Sequence, residues 1–99
     1  MNKTKKELAW EEAILEIVYE CGGKEKKGPV KVREINEDIS SKKKLTRSDL
    51  KNWTDGRPMY VHHIRSAISV LCHEKRELKH VKWGIYKITD KGIKRISSR

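Results

Sequence analysis

Residues 60–88 restrict the fold more than any other part of the chain, because two different hydrophobic periods meet there. In YVHHIRSAISVLCHEK the apolar residues Tyr60, Val61, Ile64, Ala67, Ile68 and Leu71 recur at spacings of three and four. That spacing lays a single buried stripe along a helix. With Ile64 at the centre of the stripe, the opposite face carries His62, Ser66, Ser69 and His73, and His63 and Arg65 flank it. The face holds no carboxylate; Glu74 is the first acid after Tyr60. In ELKHVKWGIYKIT, which follows, Leu78–Val81 and Ile85–Ile88 read as short strands. Lys82-Trp83-Gly84 is the turn, with Gly84 available for a positive φ. A helix with an acid-free polar face running into a basic hairpin predicts a winged helix-turn-helix. Such a fold is mainly α with a small β-hairpin, a three-helix core beside a two- or three-stranded wing sheet. The recognition helix would occupy about 59–75 and the wing 78–88.

Charge agrees with that placement. The 99 residues carry a formal net charge of +10. Residues 1–40 hold eight Lys/Arg and nine Asp/Glu, a net of −1, whereas residues 41–99 hold sixteen and five, a net of +11. The excess lies where the recognition helix and wing are expected. This asymmetry suggests a polyanionic partner, nucleic acid before an anionic membrane surface. A generally Lys-rich solvated surface is the plain alternative. The N-terminus MNKTKKELAW has no apolar h-region, and no run approaches the length of a membrane span. An intracellular, reducing location is therefore expected, cytoplasmic or, in a prokaryote, nucleoid-associated. Cys21 and Cys72 should remain free thiols there.

Along the chain, residues 1–6 read as a flexible lead-in and 7–96 as a single domain, with 97–99 a flexible tail. A first helix should start near Lys5 to Glu7 and end at Tyr19 to Cys21, before Gly22-Gly23. Its stripe is Trp10, Ala13, Ile14, Ile17, Val18 and Cys21. Glu11, Glu12, Glu16 and Glu20 face outward, which turns this helix away from phosphates. Lys24–Gly28 is a charged loop. Pro29–Val32 is extended and suits a third strand against the wing. Val32, Ile35 and Ile39 mark a supporting helix over roughly 32–40. Residues 41–58 form a polar, basic connection, longer than the usual helix–helix turn. Within it Thr46 and Asp49 fit a capping box on a short helix, 47–52, Thr54-Asp55-Gly56 reads as a turn, and Pro58 suits the first turn of the next helix. Thr89-Asp90-Lys91-Gly92 caps a last helix, 91–96, whose Ile93 and Ile96 return to the core.

The order of these elements resembles the N-terminal winged-helix domain of Mrr-like restriction endonucleases. The likeness rests on Trp10 with Ala13-Ile14, on Val32 to Ile39, on Ile64, Ala67, Ile68 and Leu71, and on GIYKIT (84–89) with Gly92. It implies a DNA-recognition role in a restriction-like system. The family's nuclease activity resides in a separate catalytic domain that this chain does not contain.

No enzymatic chemistry is expected. Carboxylates with a neighbouring Lys, as metal-dependent DNA cleavage needs, do not cluster, and there is no Gly-rich phosphate loop. Zinc is not expected either: His62 and His73 are eleven residues apart, roughly 16 Å along one helix, and no C-x2-C occurs. The candidate nucleic-acid contacts are Arg57, His62, His63, Arg65 and Ser66 around the helix start, Lys82 and Trp83 on the wing, and Lys43, Lys44 and Arg47 in the connection. Lys42, Lys51, Lys79, His80 and Lys87 are further phosphate candidates. Three of these assignments have a structural alternative. The basic connection can be merely solvated, His63 can pack against the supporting helix, and Trp83 can fold back onto the hairpin, the preferred of its two readings, rather than wedge into a groove or stack on a base. Tyr86 is assigned to the core with Ile88. Double-stranded DNA is the leading partner. A protein partner anchored by Trp53, Trp83 or the acidic face of the first helix, an acidic protein on the basic half, and RNA are the competing ones. With no long heptad helix, a monomer is expected.

Overall fold

The computed structural model describes residues 9–23, 28–52, 54 and 56–98. The lead-in, a helix start at Lys5 to Glu7, loop residues 24–27, Trp53, Asp55 and Arg99 lie outside them. The elements are α1 (Trp10–Glu20), β1 (Val30–Lys31), α2 (Val32–Asp38) with a 3-10 turn at Ile39–Ser41, α3 (Arg47–Leu50), α4 (Met59–His73), β2 (Leu78–Lys82), β3 (Ile85–Ile88) and α5 (Asp90–Ser97). The protein is thus an α+β chain with one small antiparallel sheet, ordered β1-β3-β2.

α1 is the hub, packed against α2, α4, α5 and β3. Ala13, Ile14, Leu15, Ile17 and Val18 are all buried. Leu15 falls outside the predicted stripe. A helix with neighbours on several sides buries a wider arc than a surface helix does, and this accounts for it. Trp10 and Cys21 sit at the margin of the core. α4 contributes Ile64, Ala67, Ile68 and Leu71 to the same core, and α2 with its 3-10 turn adds Ile35 and Ile39.

The sheet closes the core from the other side. Val30 pairs with Tyr86 and Lys31 with Ile85, so the third strand is Val30–Lys31, the middle of the expected Pro29–Val32 segment, and Val32 already opens α2. Val32 N–H donates to Gly84 O at 2.8 Å and ties the hairpin tip to the start of α2. β2 reaches Lys82, one residue further than predicted, and leaves Trp83-Gly84 as the turn; Gly84 has φ +73°. The register shifts between His80 and Lys82. Such a bulge bends the strand and increases its twist.

Helix ends show how local chemistry is used. Thr46 and Asp49 form the full capping box of α3, with Asp49 N–H donating to Thr46 Oγ1 at 3.2 Å and Thr46 N–H to Asp49 Oδ2 at 2.9 Å. α3 is shorter than expected, ending at Leu50. Pro58 is the N-cap of α4, one step outside the first turn. α4 ends at His73, two residues early, where Glu74 and Lys75 N–H groups return to Val70 O and Arg76 takes φ +57°. Thr89 Oγ1 accepts from Gly92 N–H at 3.3 Å and caps α5. Ser97, expected in the tail, lies inside α5, and Ser98 is its C-cap.

Candidate nucleic-acid interface

α4 presents two different flanks. One faces α2 and the hairpin across an open groove of about 460 Å³. Arg57, Arg65, Ser69 and His73 line it from the α4 side, His80, Trp83 and Tyr86 from the hairpin, and Val32 and Asn36 from α2. None of its lining residues is acidic. His80 and Tyr86 pair across the strands and stack, ring centroids 5.0 Å apart. Burial pushes the Tyr86 phenol above its ordinary pKa. Tyr86 packs at the edge of the core and at the groove wall together, while Ile88 alone is fully inside.

The other flank of α4 meets α1. Ser66 and His63 border a shallow hollow with Trp10, Ala67 and Val70. His63 stacks on Trp10 at 5.0 Å and places Nε2 3.6 Å from Asp49 Oδ1. Its position is therefore set by α1 and α3, and it stands apart from the groove, as does Ser66. His62 is half-buried, Lys44 and Arg47 are exposed, and Lys43 is half-buried with Nζ 4.9 Å above the Trp10 ring. Lys42, a phosphate candidate, is captured instead by Glu16 at 3.2 Å and Glu20 at 2.6 Å. Of the ten candidate residues the groove unites three, Arg57, Arg65 and Trp83.

Trp83 corrects its preferred reading. It is 90% exposed at the tip of the hairpin and does not fold back as core. The tight turn with Gly84 in the left-handed region projects it away from the sheet. Strand alternation places Lys79 and Lys87 opposite each other on the outer sheet face, beside Lys31 and Ile85. Like charges directly opposed across an antiparallel pair are destabilising. A polyanion laid along that face would offset the repulsion.

The acidic side of the chain is largely occupied. Glu11 binds Lys75 at 2.9 Å and Arg95 at 3.0 Å, and Arg95 also reaches Glu77 at 2.7 Å and Glu12 at 3.9 Å. The hydrogen bonds from Lys75 and then Arg95 hold the Glu11 carboxyl below its ordinary pKa. These pairs hold α5 and the α4–β2 turn onto α1, so the acidic face of α1 is mostly internal bracing.

Cys21 and Cys72 are free thiols, each pushed to a higher pKa by burial; at Cys21, which lies 3.5 Å from Asp38 Oδ2, that carboxylate adds to the shift. Neither resembles an activated nucleophile. Among the described residues, no group of three or more His, Cys, Asp or Glu is placed to hold a metal ion, and no helix is long and apolar enough to cross a membrane.

Two groove-lining residues were not among the sequence candidates, Asn36 and Val32. Both belong to α2, which the pairing of β1 with β3 and the Val32 N–H to Gly84 O bond bring beside the hairpin. Neither a protein-family model, nor a curated protein, nor a solved structure matches the chain.

Proposed function

We propose that the chain is a winged helix-turn-helix module that binds double-stranded DNA and carries out no chemistry of its own. In this reading α2 supports α4, α4 is the recognition helix, and the β1-β3-β2 sheet is the wing. The resemblance to Mrr-like N-terminal domains then makes it the DNA-recognition part of a restriction-like system. The observation that carries the proposal is the acid-free groove. Arg57, just before α4, and Arg65 and His73 on it converge there with His80 of the hairpin. Surfaces of this kind attract phosphates and steer a duplex before any base is read.

The test is gel-shift titration of Arg65→Glu and Lys82→Glu against a short mixed-sequence duplex. Both positions are exposed, so the fold should survive. Each reversal should weaken binding by about tenfold or more at moderate salt. Unchanged affinity in both variants removes the surface. One observation favours a second reading, in which the exposed Trp83 anchors a protein partner. That interaction would be insensitive to salt and would leave nucleic acid unbound.

A further inference from the structure

We infer that the groove between α2, α4 and the hairpin is a binding site for one unpaired nucleobase with its phosphate. For a duplex as the source, this rests on the DNA-binding reading above. A volume of about 460 Å³ is far too small for a duplex, but it lies within the range of small-ligand sites. The groove offers a planar ligand what a base requires. The stacked pair His80 and Tyr86 forms one wall, and Trp83 stands over the rim with 90% of its surface in water. An indole so exposed gains by stacking on a base, which is sequence-tolerant because every base has a π-face.

Polar chemistry points the same way. Asn36 lines the groove from α2, and a side-chain amide is suited to hydrogen-bond the edge of a base. Arg57, Arg65 and His73 around the opening suit the attached phosphate, and no lining carboxylate repels it. Cys72 and Ile68 complete an apolar floor against which a base can lie. The ligand could arrive as a nucleotide displaced from a duplex or as a free mononucleotide; the chemistry recognised is the same.

The experiment compares three probes on the intact chain: a paired duplex, the same duplex with one bulged adenosine, and AMP. Affinities for the duplexes are read by anisotropy, and the AMP site by amide and indole N–H shifts in NMR spectra. The bulged duplex should bind about tenfold more tightly than the paired one, the contribution of one base–aromatic stack. AMP should shift the Trp83 indole and the Asn36 side-chain amide. In Trp83→Ala, where an exposed side chain is removed and folding is spared, the ratio of the two duplex affinities should fall to about one. AMP shifts at Trp83 and Asn36 without a preference between the duplexes assign the groove to free nucleotide. AMP shifts with neither duplex bound do the same and refute the DNA reading alone. Equal duplex affinities with no AMP shifts overturn the groove site while leaving DNA binding intact. A bulge preference that survives Trp83→Ala also overturns it.

Discussion

Gly92→Ala tests how α5 is seated against the β2–β3 hairpin. In an isolated helix the change would be favourable by up to about 1 kcal/mol, because Ala is the better helix former. Here the added Cβ would lie 2.4 Å from Glu77 O and 2.7 Å from Ile88 Cγ1. Neither neighbour can yield easily. Glu77 O accepts the Thr89 N–H at 3.1 Å and so closes the open end of the hairpin, and Ile88 is 2% exposed in the core. Overpacking of this kind costs about 1–3 kcal/mol, which outweighs a propensity gain already reduced in the first turn. The expected net loss is about 1–2 kcal/mol, a large share of the stability of a chain this size. The midpoint of thermal unfolding should fall by roughly 5–15 °C in far-UV circular dichroism. Lys91→Ala, exposed in the same turn, serves as control and should change stability by less than about 0.5 kcal/mol. A Gly92→Ala protein as stable as its parent would refute the packing of α5 on Glu77 and β3.

Arg76 holds φ +57° with a side chain that disfavours it. Arg76→Gly relieves about 1–2 kcal/mol of that strain against about 0.4–1 kcal/mol of added chain entropy. A net gain near 0.5 kcal/mol is therefore expected, visible as a midpoint a few degrees higher. A lower midpoint contradicts the backbone described for the α4–β2 turn. The depressed pKa of Glu11 makes its carboxylate stabilising above the ordinary glutamate value, near pH 4.3. That contribution is fully present at neutral pH and is lost as pH falls through the lower folded value. Urea midpoints should accordingly drop as pH falls below the ordinary glutamate value, and Arg95→Ala should flatten the drop. An acid limb unaltered by that change would separate Arg95 from Glu11.

Much of the fold was legible because its signals are local. The three-and-four spacing from Tyr60 to Leu71 marks the buried face of α4, Thr46 with Asp49 caps α3, and Gly84 takes the positive φ of the hairpin turn. Pro29 keeps the residue before it out of the helical region, which marks an extended entry to the Val30–Lys31 strand. What stayed hidden depends on contacts between distant residues. Leu15 is buried only because α1 has neighbours on several sides. Lys42 and His63 look in sequence like any other basic residues of the chain, yet Glu16 and Glu20 hold one, and Trp10 and Asp49 the other. Trp83 defied its preferred reading because a two-residue turn leaves an indole no core to reach. The groove itself is assembled from residues 32 to 86, and no window of sequence contains it.

The central claim is that α4 and the wing form a phosphate-binding surface for duplex DNA. Its most direct test is a salt titration of binding to a short mixed-sequence duplex, with matching RNA duplex and single strand as competitors. If Arg57, Arg65 and Lys82 each neutralise a phosphate, log K should fall against log salt with a slope of about −2.7. Duplex DNA should resist both competitors. No binding at low salt, or a slope near zero, would contradict the account and leave the basic half of the chain to solvation or to an acidic protein.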